Sequence, residues 1–392
     1  MSIQNPTATL AHGEADTIPQ QISGTQTTNS PAFSAYKHKL WLAYLQDSKY
    51  KTASFDGAAW TVASDPIKSN SQSGPPTLVT FNGKLYLVHI ASSSQDLYCM
   101  TYDGTSWSAD TWMFTATGMP AETTVAVALF KKQLYVAWRN ESDNKIGINT
   151  WNGQGAWPNS NLSFIPGIAT LKSPALATFN KKLFVVHVAN DSSNYIHYSR
   201  STDGTTWKTP EGVIQDKATK AYAATGQAPA AVTFDGKLWV AYVNASNQLS
   251  FATFDGTAWS LAGSITEITI TGSPTLEVYN VNGKPKLFCG VRGSDNAIWW
   301  FSVAAGAAKN VTGYVSSYTF GSANDPAEVS FELMKANGTK VKGSMDPVSD
   351  TASTGFTVTF VTALTNGYEV VVLDSHIDFD EYSGVKVVPP LV

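Results

Sequence analysis

Three arginines stand out in a chain poor in charge: Arg139, Arg200 and Arg292. Guanidinium groups are the usual bidentate clamps for carboxylate and phosphate. Arg139 and Arg292 fall at equivalent points of two sequence repeats, whereas Arg200 falls elsewhere in its repeat, so the three do not read as a converging triad. At or beside that same point across the six repeats stand Asp47, Ser93, Asn140, Asp191, Asn244 and Asp295. Short amide, carboxylate and hydroxyl groups are suited to sugar hydroxyls, each of which both donates and accepts. Trp138, Tyr44, Tyr242, Trp299 and Trp300 offer rings against which the apolar face of a pyranose can stack. Trp299 and Trp300 are adjacent and must point to opposite faces of a strand, so at most one of them serves. The ligand-binding set read from the sequence is therefore Arg139, Arg292, Asn140, Asp191, Asn244, Asp295, Trp138 and Trp299.

A catalytic constellation is not legible. Glu141, Asp191 and Asp295 lie in loops, but most other aspartates sit in Asp-Gly turns, where a turn explains them. His89 and His187 occupy equivalent strand positions and read as packed within the repeats; no Cys/His cluster has zinc spacing. Neither a phosphate loop nor a dinucleotide fingerprint occurs. Cys99 and Cys289 lie in repeats too far apart for a disulfide and read as small buried hydrophobes. The expectation is a non-catalytic protein without cofactor or metal.

The elements that position these residues come from the repeats. A segment of recognisable form, a short apolar strand that opens on Ser-Pro in three copies, a turn and an apolar run, recurs six times, with a central leucine at Leu40, Leu85, Leu134, Leu183, Leu238 and Leu287. A second mark, a tryptophan after a turn, falls at Trp60, Trp107, Trp157, Trp207 and Trp259. Leucine spacings are 45, 49, 49, 55 and 49 residues. Each unit reads as four strands. Asn82-Gly83 and Asp235-Gly236 mark type I′ hairpins after the first strand. The second strand is a continuous apolar run, as in 183–188, and the third alternates. Four antiparallel strands repeated at this period predict an all-β, six-bladed β-propeller. The sixth repeat lacks a fourth-strand tryptophan, while residues 17–24 precede the first repeat where a fourth strand would stand. We expect this segment to complete blade six and close the ring, the alternative being an outer strand from 309–315.

Ser201-Thr202-Asp203-Gly204-Thr205-Thr206-Trp207 resembles the Asp-box of sialidase-type propellers, one residue short, and Asp56-Gly57, Asp103-Gly104 and Asp255-Gly256 repeat its core. The sixth repeat, from Arg292 to Trp300, is similar to those of propeller lectins related to the tectonins. The resemblance covers roughly residues 17–310 and implies a six-bladed propeller lectin. A sialidase of that kind would need an Arg-Ile-Pro segment near the start of the propeller, and none is present.

Composition narrows the partners. The 392 residues are 43% hydrophobic and 14% charged, with a net charge of −4, which gives no electrostatic reason to expect nucleic acid. No run approaches a membrane span. Few charges with many Trp, Tyr, Thr, Ser and Asn point to a secreted or cell-surface role, yet no secretory signal is visible at the N-terminus. Asn-x-Ser/Thr sequences, at Asn140, Asn161, Asn190, Asn244, Asn310 and Asn337, read as repeat composition. The domains expected are a flexible segment 1–16, the propeller 17–310 and a small antiparallel β-sandwich 311–392, with strands near 327–334, 354–364 and 368–373. Oligomerisation or a partner contact is assigned to that last domain. Its acidic stretch 374–381 offers oxygen ligands but lacks EF-hand spacing, and reads as a solvated loop. The leading function is a carbohydrate-binding propeller lectin whose partners are glycans or glycoproteins, involved in host recognition or associated with a toxin. The alternatives are a protein-interaction scaffold and a sialidase-like glycosidase.

Overall fold

The computed structural model describes residues 9–10, 13–14, 18–67, 73–91, 96–116, 118–119, 123–305, 311–320, 329–334, 340–345, 369–374 and 382–388. Ser93, Asn310, Asn337 and the expected features at 354–364 and 375–381 lie outside the described residues. Within 1–16, only a two-rung hairpin is described, β1 (Thr9–Leu10) and β2 (Gly13–Glu14).

Six four-stranded antiparallel sheets form the blades. The first strand of the ring, β3 (Gln20–Gln26), is set aside for its closure. Blade one is β4 (Ala32–Tyr36), β5 (Lys39–Gln46), β6 (Lys49–Phe55) and β7 (Trp60–Val62). Blade two is β8 (Ser73–Phe81), β9 (Lys84–Ile90), β10 (Asp96–Tyr102) and β11 (Thr111–Thr115). Blade three is β12 (Ala126–Phe130), β13 (Gln133–Arg139), β14 (Lys145–Trp151) and β15 (Ser163–Ala169). Blade four is β16 (Ala175–Phe179), β17 (Lys182–Val188), β18 (Ile196–Ser201) and β19 (Trp207–Val213). Blade five is β20 (Ala230–Phe234), β21 (Lys237–Val243), β22 (Leu249–Phe254) and β23 (Trp259–Ile265). Blade six is β24 (Thr275–Val281), β25 (Lys284–Arg292), β26 (Ala297–Ala304) and, as its outer strand, β3. The N-terminal segment therefore closes the ring, pairing Gln26 with Ala297 and Gln20 with Trp300.

Every first hairpin uses a two-residue turn with both central residues at positive φ: Lys37-His38, Asn82-Gly83, Lys131-Lys132, Asn180-Lys181, Asp235-Gly236 and Asn282-Gly283. This is the turn whose twist matches the flanking strands. The Asp-Gly turns before the outer strands are equally structural. Asp203 Oδ1 accepts from the Thr205 and Thr206 amides at 2.8 and 2.6 Å, and Asp56, Asp103 and Asp255 repeat the arrangement. Those bonds to backbone N–H groups hold the Asp203 carboxyl far below the usual carboxylate range.

The hydrophobic clusters belong to junctions between blades rather than to single blades. Phe33, Leu42 and Phe55 of blade one pack with Phe288 and Trp300 of blade six, and Val88 and Phe114 of blade two pack with Val136 and Trp138 of blade three. Both faces of each blade are thus covered, which explains the unbroken apolar second strands. Inner strands are joined by side chains, as unpaired sheet edges require. Thr80 Oγ1 donates to the Ala35 carbonyl (2.6 Å), Thr178 to Leu129 and Thr233 to Thr178 (both 2.5 Å). Cys99 and Cys289 are buried free thiols.

The chain divides into two compact units, residues 1–233 with 237–304, and residues 305–392 with the short segment Phe234–Gly236. In the second, β27 (Val311–Phe320), β28 (Val329–Met334), β29 (Lys340–Met345), β30 (Glu369–Asp374) and β31 (Tyr382–Val388) make one five-stranded antiparallel sheet, in the order β29-β28-β27-β30-β31. The sandwich expected from the sequence is reduced to this single layer among the described residues. No helix of the described residues is long and apolar enough to cross a membrane.

Candidate functional site

The sequence-derived loop residues lie on four blades, and most are already committed to neighbours. Arg139 donates Nε and Nη2 to Asn144 Oδ1 (3.1 and 2.7 Å), and Nε also reaches the Thr170 carbonyl (3.2 Å) in the linker entering blade four. Arg292 does the equivalent in blade six, donating Nη2 to the Thr271 carbonyl (2.7 Å) and Nη1 to that of Thr28. Both guanidinium groups tie linkers to blades. Asn140 is buried, and its Oδ1 accepts from the Ser142 amide (2.9 Å) and hydroxyl (2.7 Å). Asp191 makes the same turn with Ser193, whose hydroxyl and amide hold its carboxyl below the usual range. Trp138 is 0% exposed and packs on Phe114 at 5.4 Å, over Gly147, so neither of its faces is open to a ligand. Of the two adjacent tryptophans, Trp300 is buried against Phe288, and Trp299 remains partly exposed with its Nε1 donating to Asp295 (3.3 Å).

The structure adds a site where the repeat is irregular. The 55-residue spacing between Leu183 and Leu238 is the longest in the chain. The extra residues fold as a hairpin, 214–223, between β19 and β20, bridged at Gln215 and Tyr222. Asp216 organises it. Its Oδ1 accepts from the Ala218 and Thr219 amides (2.9 and 2.7 Å), and Oδ2 accepts from the Leu261 amide of blade five (2.8 Å). One carboxylate thereby fixes both the hairpin and its distance from the next blade.

Between hairpin and blade five opens a pocket of about 280 Å3, lined by Tyr222, Ala224, Tyr242, Asn244, Ala245, Ser250, Leu261, Gly263 and Ser264. Tyr222 is 45% exposed, and its ring is stacked on Tyr195 at 4.5 Å and 16°. Polar groups on the opposite wall form a chain. Asn244 Oδ1 accepts from the Ser246 and Gln248 amides (2.9 and 3.1 Å), which orients the side-chain amide. Its Nδ2 then donates to Ser250 Oγ (3.0 Å) and Gln248 Oε1 (3.3 Å), and Ser250 bonds Ser264 at 2.7 Å. All four hydrogen-bonding positions of Asn244 are filled, so it positions Ser250 and leaves Ser264 as the partly exposed hydroxyl of the chain. Burial pushes the Tyr242 hydroxyl up to about 12, so it stays neutral. Tyr222 was not legible in the sequence: it stands in an Ala-, Thr- and Lys-rich linker, and its only signal was the excess spacing.

A second feature lines the inner strands. Desolvation raises the Glu277 carboxyl of β24 from 4.5 to about 8, outweighing the opposing pull of the nearby Ala35 and Val278 backbone amides. Elsewhere, His89 Nε2 bonds the buried Asp110 carboxylate at 2.9 Å. Burial and then His197 drive His187 down to about 4, so it is neutral at physiological pH. Among the described residues, no group of three or more His, Cys, Asp and Glu side chains is placed to hold a metal.

No family model matches this sequence, and no curated protein matches it. Among solved structures the fold resembles an α-L-arabinanase from Penicillium chrysogenum, with TM-score 0.53 and 13% identity over 76% of this chain and 99% of that one. It also resembles the lectin of Aleuria aurantia, solved with Fucα1-6GlcNAc, with TM-score 0.52 and 12% identity over 86% of this chain and 96% of that one. A Trypanosoma rangeli sialidase gives TM-score 0.50 and 15% identity over 73% of this chain and 57% of that one. At such identities the likeness establishes the fold alone. It also corrects the non-catalytic reading of the sequence. An arabinanase and a sialidase stand beside a lectin among these neighbours, so the missing motif does not exclude catalysis.

Proposed function

We propose that the protein binds carbohydrate in the pocket between the 214–223 hairpin and blade five. The observation that carries the reading is the pocket's make-up: a ring presented by a stacked, hairpin-held Tyr222 opposite a chain of hydroxyl and amide groups. A pyranose presents an apolar C–H face and a rim of hydroxyls, and this pocket meets each with its complement. The stack on Tyr195 and the Asp216 turn hold the platform in place before the ligand arrives, which lowers the entropic cost of binding. The Aleuria lectin, whose structure holds a fucosyl disaccharide, supports a sugar ligand by analogy of fold. The test is a glycan array with the whole chain, Tyr222→Ala and Ser264→Trp. Both variants should lose at least about tenfold in affinity, the first by removing the stacking face, the second by filling the pocket. Array binding by the intact protein that both variants keep would overturn this site.

Glycoside cleavage is a second reading, favoured by Glu277. A carboxyl that keeps its proton to about pH 8 is what a general acid requires at neutral pH. Hydrolysis of a chromogenic glycoside panel, lost in Glu277→Gln, would support it. For the second unit, a further layer over its sheet would complete a sandwich, and we place oligomerisation or partner contact there. Sedimentation of the intact chain tests that assignment.

A further inference from the structure

We infer that the blade-five pocket selects uncharged glycan units and rejects acidic ones such as sialic and uronic acids; this rests on the carbohydrate-binding reading of the same site. None of the nine lining residues is an arginine, lysine or histidine. Recognition of a sugar carboxylate needs a cation or a cluster of free N–H donors. The amide N–H groups of the Asn244 side chain are both used, on Ser250 and Gln248. A charge of the wrong sign backs the wall. Asp216 is 7% exposed, its Oδ2 sits 2.8 Å from the amide of the lining residue Leu261, and the Thr219 and Leu261 amides hold it ionised. A carboxylate entering the pocket would be desolvated near that fixed negative charge with no cation in the lining to compensate. Lys217 and Lys220 belong to the same hairpin but stand exposed around its turn, outside the lining, where solvent screens them. Rejection of the wrong ligand by an unpaired charge is a common source of specificity.

The experiment is an array printed in matched pairs, each neutral glycan beside its sialylated or uronate-bearing counterpart with the acidic residue terminal. Ala245 is exposed on the turn lining the pocket, so Ala245→Lys adds a cation at the rim and Ala245→Gln controls for size. The intact protein should bind neutral members at least about tenfold more tightly than their acidic partners, and Ala245→Lys, but not Ala245→Gln, should close that gap. Equal binding of acidic and neutral members by the intact protein overturns the inference while leaving carbohydrate binding intact. So does an Ala245→Lys variant that keeps the original preference. Binding of no glycan at all overturns the underlying reading, and the inference with it.

Discussion

Replacing Glu277 with glutamine should change how stability depends on pH more than it changes stability itself. In the folded chain the carboxyl is raised to about 8 by desolvation, against about 4.5 when solvated. The native state therefore holds a proton that the unfolded chain releases between those values. The stability that this proton linkage contributes is complete below about pH 4.5 and is lost as pH rises through 8. At about 1.4 kcal/mol per pH unit, the ceiling on that loss is about 5 kcal/mol, and partial exposure of the side chain lowers it. Glutamine keeps the size and shape of the side chain and cannot ionise. Denaturant unfolding at pH 5, 7 and 9, followed by tryptophan fluorescence, measures the difference. All twelve tryptophans lie between Trp41 and Trp300, so the signal reports the propeller and not the second unit. Glu277→Gln should match the parent near pH 5 and exceed it by several kcal/mol at pH 9. Parallel stability curves for the two proteins would refute the reasoning.

Three further outcomes follow from the geometry. Trp138→Ala removes a fully buried ring from the junction of blades two and three and should cost about 3–5 kcal/mol in the same unfolding assay. Lys131 and Lys132 hold φ of 48° and 59° in a type I′ turn, so replacing the pair by Asn-Gly should raise stability by about 1–2 kcal/mol, seen as a higher melting temperature. Isothermal titration with a sugar found on the array should give one site per chain, because among the described residues the hairpin that builds the pocket occurs in one repeat; a stoichiometry near six would contradict this.

The blades were legible because their determinants are local. Turn pairs such as Asn82-Gly83, apolar runs such as 183–188 and a leucine at a fixed point of each repeat specify a four-stranded unit without knowledge of its neighbours. Closure by β3 was legible as well, since the sixth repeat lacked its outer strand while 17–24 had no partner. The site was much less so. Arg292 looked like a ligand clamp because the carbonyl it bonds, Thr28, is 264 residues away and arrives only when the ring closes. Trp138 and Tyr222 are both aromatic residues near a blade end, yet one is sealed between blades and the other stands open on a hairpin. That difference is set by tertiary packing, which composition does not encode. Asn244, named from the sequence as a ligand contact, lines the proposed pocket, where its four bonds within its own turn and strand orient Ser250.

Location of the ligand tests the account most directly. A crystal of the intact protein soaked with the tightest array sugar should show a pyranose with its C–H face on Tyr222 and a hydroxyl within hydrogen-bond distance of Ser264. Sugar density beside Glu277 at the inner strands, with the blade-five pocket empty, would contradict it.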